Sequence, residues 1–226
     1  MNVPDSYLGV WQRTRLKTAA GEDCDSAVFW IQTARLHGDI RTPACTSGLR
    51  LTGRSGFAGI TSVEDERCQW HRLIDCNPNS GVDIGLMHFE NSEKVIELAT
   101  DDSYLEVWER LPDSRGSQQA FWFEGPEQQR ACLLIAGVYF FFGQARLLGV
   151  AREGDASQFC FGRIRGGERP WQISHSTNPA RIGQVLLSEN LTPDPAAFAE
   201  LGLDAANGWS QGDLPGLDVA TQEIHP

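Results

Sequence analysis

Three short segments of the sequence contain side chains that could exchange protons or stabilise charge. LHGDIRTP places Asp39 and Arg41 two residues apart, and CQWHR contains His71. YLEVWER places Glu106 two residues before a tryptophan. A histidine titrates near neutrality, so His71 is a candidate acid or base, and Glu106 could act as a general base. Arg41 could contact an anionic ligand or stabilise a developing negative charge.

Each of these residues also has a structural interpretation. A buried carboxylate or guanidinium is costly unless it is paired, so Asp39 and Arg41 either form an internal ion pair or lie on a solvated outer face. His71 could be a hydrogen-bonded structural histidine, and Glu106 could form a cross-strand salt bridge at the surface. The residue types alone leave these alternatives open.

Tryptophans alternate with polar residues at a spacing of two, the period of a β-strand. Trp11 precedes Arg13, Trp30 precedes Gln32, and Trp70 lies in CQWHR. Residues i and i+2 of a strand share a face, so each pair is expected on one side of its strand. Trp11 is expected to pack structurally across one barrel end, while Arg13 could stack on that ring or point a charge into a cavity.

The segments that must position these side chains are short and rich in β-formers. Eight follow at regular intervals: YLGVWQRTRL, AVFWIQT, LHGDIRT, GFAGITSV, RCQWHRLID, VDIGLMHF, KVIELAT and YLEVWERL. Gly, Pro, Asn and Asp clusters separate them. This pattern predicts an all-β fold made of antiparallel strands, with a pocket inside a barrel.

The sequence repeats one strand. YLGVWQR at 7–13 and YLEVWER at 104–110 differ at two of seven positions, and QAFWFEG and VYFFFGQAR then follow in the order of the first copy. We therefore predict two consecutive antiparallel barrel units, at 1–111 and 112–190, with PWQISHST and RIGQVLLS as further strands of the second. A mostly irregular C-terminal arm with one short helix is expected at 191–226.

Composition excludes several classes of function. The chain has 226 residues and a formal net charge of −11, which disfavours a nucleic-acid or anionic membrane partner. The N-terminus lacks the basic and apolar regions of a signal peptide, so we expect a cytoplasmic protein. The six cysteines form no CxxC pair and are expected to be reduced. No metal site or cofactor is predicted, because the motifs that mark them are missing.

The order of the motifs YLGVWQRT, FWIQT, DIRTP, FAG, CQWHR, DIG and YLEVW resembles a family of duplicated lipocalin-like proteins of the calycin type. That family is known in fungi through a casein-kinase-I interactor and is also found in bacteria. The resemblance covers about residues 5 to 190 and implies two calycin-like β units with a pocket. It implies no settled activity. Since VYFFFGQAR lacks the Asp-x-Arg of the first unit, any polar site is expected in the first unit.

Three functions remain open from the sequence. The first is a protein that binds a small amphipathic or anionic molecule, with Trp11, Trp30 and Trp70 as walls and with Arg13, Gln32, Asp39 and Arg41 among the ligand contacts. The second is a cofactor-independent isomerase, hydratase or lyase that uses His71 or Glu106. The third is an adaptor for a protein partner, and a homodimer is also left open.

Overall fold

The computed structural model describes residues 2–43, 53–165, 170–188 and 193–216. The largest unit within these residues is a closed antiparallel barrel. Its strands are β1 Gly9–Thr18, β3 Ala27–Gln32, β4 Leu36–Thr42, β5 Ser55–Glu64, β6 Arg67–Asp75, β7 Asp83–Asn91, β8 Lys94–Ala99 and β9 Tyr104–Arg110. A short strand, β2 Gly21–Asp23, pairs with the end of β1. These eight barrel strands correspond to the eight predicted segments, and the all-β prediction is confirmed.

The repeated segments are neighbours that close the barrel. Strand β1 pairs with β3 on one side, where Trp11 lies opposite Trp30, and with β9 on the other, where Trp11 lies opposite Arg110. YLEVWER thus completes the first unit. Within the described residues it pairs only with β8 and β1, and it takes no part in the second sheet.

The second unit is a six-stranded sheet where a second barrel was predicted. In spatial order it contains β14 Trp171–Ser176, β13 Gln158–Ile164, β12 Tyr139–Arg146, β11 Gln129–Ala136, β10 Gln118–Glu124 and β15 Ser210–Gly212. RIGQVLLS, predicted as a strand, contributes a single bridge from Val185 to Gln172. One barrel plus one sheet is the observed architecture, and the internal duplication is not confirmed.

The outer face of the barrel packs against one face of this sheet. Phe29 of β3 stacks on Phe161 of β13 with ring centroids 4.5 Å apart. Gly38 of β4 lies under Phe141 of β12, since a Cβ at position 38 would lie 2.5 Å from that ring. The barrel therefore needs a residue without a side chain at this contact. The apolar FFF run thus contributes to the core between the two units.

The other face of the sheet is covered by the C-terminal segment. The helix α1 Pro195–Glu200 begins at Asp194, whose carboxylate accepts from the Ala197 amide. Trp209 packs over Gly125, where a Cβ would lie 2.7 Å from the indole. The remaining helical turns are 3-10 turns at Pro126–Gln128, Leu148–Val150, Pro179–Arg181 and Ala205–Asn207. No helix in the described ranges is long and apolar enough to cross a membrane.

The described cysteines are free thiols, and three of them are buried in apolar surroundings. Burial raises the pKa of Cys132 to about 12, so this thiol stays protonated at neutral pH. Cys45 lies outside the described residues.

Candidate functional site

One end of the barrel interior is closed by packed aromatic side chains. Trp11 stacks on Trp30 with centroids 6.0 Å apart, and its indole N–H donates to the Tyr7 carbonyl at 2.8 Å. The Arg110 guanidinium lies 3.9 Å from the Trp11 ring centre. Gly9, with φ +119°, admits this arginine, because a Cβ there would lie 2.9 Å from Arg110 Nη1. Trp11 is therefore a structural plug, and Arg13 does not stack on it.

A second layer of tryptophans lies further along the interior. Trp30 meets the edges of Trp70 and Trp108 at centroid distances of 5.5 and 6.0 Å. The Trp30 indole N–H donates to Gln32 Oε1 at 3.1 Å, and the Thr61 hydroxyl donates to the same oxygen at 2.8 Å. The Gln32 amide in turn donates to the backbone carbonyls of Thr33 and Leu36. These bonds fix the Gln32 side chain, which therefore fixes the orientation of the Trp30 indole.

Charged residues occupy the opposite end of the interior. Arg13 Nη1 donates to Glu106 Oε1 at 2.6 Å, and Arg13 Nη2 lies 3.3 Å from Asp23 Oδ2. All three side chains are buried. Glu106 thus forms an internal ion pair, and the alternative of a surface salt bridge is wrong. Arg13 points its charge into the barrel.

A second ion pair comes from one strand face. Arg41 Nε donates to Asp39 Oδ1 at 2.8 Å, as residues i and i+2 of β4. The Arg41 guanidinium lies 5.2 Å from the ring centre of Phe57 on the neighbouring strand. Of the two alternatives for Asp39 and Arg41, the structure has the internal pair.

A third arginine, which sequence reasoning did not include in the site, lies beside this pair. Arg72 donates to Asp75 at 2.9 Å and to Asp83 at 2.5 Å, and its guanidinium stacks over Phe57 at 3.7 Å. Strand β6 has a bulge between Arg72, which pairs with Gly59, and Ile74, which pairs with Ala58, and the bulge shifts the register of the two strands. Because of this bulge, Arg72 and Asp75 both point inward although they are three residues apart.

Glu97 was also missed, and among the described residues it forms no ion pair, unlike Glu106, Asp39 and Asp83. It accepts from the Tyr104 hydroxyl at 2.7 Å and from the Trp108 indole at 3.0 Å. Gly85 of the neighbouring strand β7 leaves it room, since a Cβ there would lie 2.7 Å from Glu97 Cγ. In KVIELAT, Glu97 shares a strand face with Val95 and Ala99, and that spacing of two was the available signal for an inward carboxyl.

Burial raises the pKa values of the inward carboxyls. The pKa of Glu97 is raised well above its ordinary value, first by desolvation and then by the negative charge of Glu106. Desolvation also raises the pKa of Glu106, although Arg13 opposes the shift. The pKa of Asp39 is raised by desolvation against the attraction of Arg41. The interior therefore holds protonatable carboxyls at pH values where a surface carboxyl is fully ionised.

Two cavities connect the charged layer with the tryptophans. The mouth of the barrel holds a cavity of about 310 Å³, which is lined by Arg13, Thr18, Arg41, Ser55, Arg72, Asp83, Glu97, Tyr104 and Glu106 among others. A deeper space of about 20 Å³ is lined by Trp30, Asp39, Arg41, Phe57, Trp70, Asp83, Glu97 and Trp108. The linings share Arg41, Asp83 and Glu97. A polar entrance thus leads to an aromatic floor.

The predicted site residues divide into three groups. The first group lines one or both cavities and contains Arg13, Trp30, Asp39, Arg41, Trp70 and Glu106. The second group, Trp11 and Gln32, contacts Trp30 and does not line either cavity. His71 lies on the outer face of β6, where its Nε2 is 2.8 Å from Ser62 Oγ. It points away from Trp70 because neighbouring residues of a strand face opposite sides. His71 is therefore not part of the interior site.

A further space of about 420 Å³ lies outside the barrel, beside His71. It is bordered by β6, by residues 78–83 and by the 3-10 turn at Leu148–Val150. In the part of the chain that the structure describes, no group of three or more His, Cys, Asp and Glu side chains is arranged to hold a metal ion.

The comparisons with known proteins concern the fold. An uncharacterized protein of Saccharomyces cerevisiae, YLR301w, has a crystal structure that matches this chain with a TM-score of 0.57 and 12% sequence identity. The match covers 81% of this chain and 91% of the yeast chain. No protein-family model and no curated protein matches the sequence. At this identity the likeness supports the β-barrel fold, and membership of the lipocalin-like family stays a prediction.

Proposed function

We propose that the protein binds a small molecule inside the barrel, through the charged mouth. The observation that carries this proposal is the pair of cavities that share Arg41, Asp83 and Glu97. Ligand sites are concave, mostly apolar spaces of roughly 300–1,000 Å³ with a few convergent polar groups. A mouth cavity of about 310 Å³ lies at the small end of that range.

The two layers suit an amphipathic ligand. Its apolar part can lie against Trp30, Trp70 and Trp108, while a polar group meets the buried charges above them. Three features hold the polar groups in place without a ligand: the buried Arg13–Glu106 pair, the Asp39–Arg41 pair and the two carboxylates on Arg72. Preorganised groups lose little conformational entropy on binding.

The test is a ligand-observed NMR screen with a set of cationic, anionic and neutral fragments. Ser55→Trp places an indole in the mouth beside Arg41, because residues 41 and 55 pair across β4 and β5. Ser103→Trp, in the exposed turn before β9, is the matched control. Fragments should bind the wild type and Ser103→Trp and be lost in Ser55→Trp. Hits that persist in Ser55→Trp, or a screen without hits, would contradict the proposal.

A second candidate function is proton transfer on a bound molecule. Glu106 and Glu97 are neighbouring inward carboxyls with raised pKa values, which is how proteins prepare a carboxyl to exchange protons near neutrality. His71 lies outside this interior, beside the separate space of about 420 Å³, and its catalytic role stays a prediction. The test follows deuterium uptake from D₂O into carbon positions of a confirmed fragment hit. Uptake that stops in Glu106→Gln would support an isomerase, hydratase or lyase.

The adaptor function has less support from the described surface. Its exposed large apolar side chains are Val82, Val150 and Ile182. Protein-docking surfaces generally need a contiguous apolar patch rather than separate side chains. A casein-kinase-I partner and a homodimer stay predictions from the sequence.

A further inference from the structure

The arginines of the mouth already have anionic partners. Arg13 is paired with Glu106 and Asp23, at 2.6 and 3.3 Å. Arg41 is paired with Asp39 at 2.8 Å, and Arg72 with two carboxylates at 2.9 and 2.5 Å. An anionic ligand would add a further negative charge to a space whose three guanidinium groups are each already paired with a carboxylate. The site as built therefore disfavours an anion.

Among the residues that the structure describes, carboxyl groups outnumber the guanidinium groups around the two cavities. The guanidinium groups are those of Arg13, Arg41 and Arg72, and the carboxyl groups beside them are Asp39, Asp75, Asp83, Glu97 and Glu106, with Asp23 also paired to Arg13. The described negative groups therefore exceed the described positive groups when all are ionised. Low-dielectric walls strengthen such an imbalance, which attracts a cation.

Glu97 is the carboxyl on which this imbalance is concentrated. It is 4% exposed, lines both cavities and forms no ion pair among the described residues. Its two hydrogen bonds come from uncharged donors, Tyr104 and Trp108. Burial raises its pKa, so it holds a proton that a cationic partner would displace.

Aromatic rings surround the same point. Trp30, Phe57, Trp70 and Trp108 line the deep space of about 20 Å³ together with Glu97. The face of an aromatic ring attracts a cation, most strongly when water is excluded. A space of this size holds about one water-sized group, which is the size of a primary ammonium head.

We infer that the barrel takes an organic cation, with a primary ammonium group at Glu97 among the tryptophans and a small apolar body in the mouth. This inference rests on the proposed function and names the class of its ligand. Binding converts the neutral Glu97 carboxyl into a carboxylate paired with the ammonium group. The displaced proton leaves to the solvent.

The test compares three probes of nearly equal shape by titration calorimetry: phenethylammonium, 2-phenylethanol and 3-phenylpropionate. Phenethylammonium should bind at least about tenfold more tightly than the other two, because only it neutralises the buried charge. Its binding enthalpy should depend on the ionisation enthalpy of the buffer, since a proton is released. Equal or tighter binding of the alcohol or the carboxylate would overturn the inference and leave the proposed function standing.

The second part of the test compares the wild type with the variant Glu97→Gln. The glutamine amide can still accept from Trp108 and donate to the Tyr104 hydroxyl, so the fold is expected to persist. The variant should lose at least about tenfold in affinity for phenethylammonium and keep its affinity for 2-phenylethanol. Glu109→Gln, an exposed position on the same strand β9 as Trp108, is the control and should bind like the wild type.

The wild-type comparison decides the question even if Glu97→Gln does not fold. If none of the three probes binds, the inference is overturned. The fragment screen with Ser55→Trp then decides separately whether the barrel binds any small molecule. If the cation binds equally well to the wild type and a folded Glu97→Gln variant, the assigned contact is wrong.

Discussion

Glu97 shows how one buried carboxyl can couple ligand binding to protonation. Its neighbours are the uncharged donors Tyr104 and Trp108 on β9, while the charged groups nearest to it include Glu106, Asp83 and Arg41. Desolvation is the largest cause of the raised pKa of Glu97, and the negative charges of Glu106 and Asp83 add to it, while the hydrogen bond from Tyr104 and the charge of Arg41 oppose it. The native state therefore retains a proton that the unfolded chain releases.

This retained proton sets a direction for the pH dependence of stability. Below about pH 4.5, the ordinary value for a glutamate, Glu97 is protonated in both states and costs nothing. Above it, the unfolded chain loses the proton first, so the free energy of unfolding falls as pH rises towards the raised native pKa. The slope is about 1.4 kcal/mol per pH unit for one proton. Glu97→Gln should remove the share of one proton from this fall, while Glu106 and Asp39, whose pKa values are also raised, keep theirs; urea unfolding from pH 4 to 8 measures the difference.

Glu22 supplies a control of opposite sign. Its pKa is lowered by the hydrogen bond from Arg15, so its contribution to stability is present above the ordinary pKa and is lost as pH falls. Glu22→Gln should therefore reduce stability at neutral pH relative to acid. A Glu97→Gln variant with an unchanged pH slope would show that the buried carboxyl is not the source of the effect.

At the scale of elements, the contact between barrel and sheet depends on glycines of the outer barrel face. Gly38 of β4 admits Phe141, and Gly56 of β5 admits Phe159. A β-carbon at either position would lie 2.5 Å from a phenylalanine ring atom, well inside ordinary contact distance. The two sheets therefore interlock, because ring and backbone occupy the same layer.

Gly38→Ala should lower the free energy of unfolding by about 1–3 kcal/mol, since the added methyl group overpacks the interface. The same change in a Phe141→Leu background should cost less, because the ring that blocks the methyl group is gone. Chemical denaturation of the four proteins of this cycle measures the difference. Gly81→Ala is the control, since a Cβ there meets no atom within 4 Å. Equal costs in both backgrounds would contradict the interlocking contact.

At the scale of the whole molecule, the barrel and the sheet share one core. Phe29, Ile40 and Leu73 of the barrel belong to the same buried cluster as Phe141 and Phe161 of the sheet. Each layer would expose this apolar face if the other unfolded first. We therefore expect the two units to unfold together.

The seven tryptophans report on both units. The barrel contains Trp11, Trp30, Trp70 and Trp108, and the shared core contains Trp122. Trp171 and Trp209 pack on the face of the second sheet that points away from the barrel. With 5-fluorotryptophan incorporated, all seven ¹⁹F NMR signals should lose their native shifts at one denaturant midpoint. Separate midpoints for the barrel tryptophans and for Trp171 and Trp209 would show that the units unfold independently.

The sequence by itself determined the strands of the barrel and most of their faces. The period of two places Trp30 with Gln32 and Asp39 with Arg41, and it separates His71 from Trp70, because these relations depend only on local backbone geometry. The same rule applied to KVIELAT would have included Glu97. The repeat of YLGVWQR also placed YLEVWER as the last strand of the first unit, and that strand pairs with β1 in the structure.

Only the tertiary structure decided which side chains from different strands meet in the barrel interior. A bulge in β6 turns Arg72 and Asp75 towards the same interior, and a local pattern cannot predict such a shift of register. The edge of the second sheet also depends on long-range pairing: β15, Ser210–Gly212, pairs with β10 and becomes the edge strand. The second unit is a sheet over the barrel because the apolar outer face of β3–β6 needs a partner, and that requirement exists only once the barrel has closed.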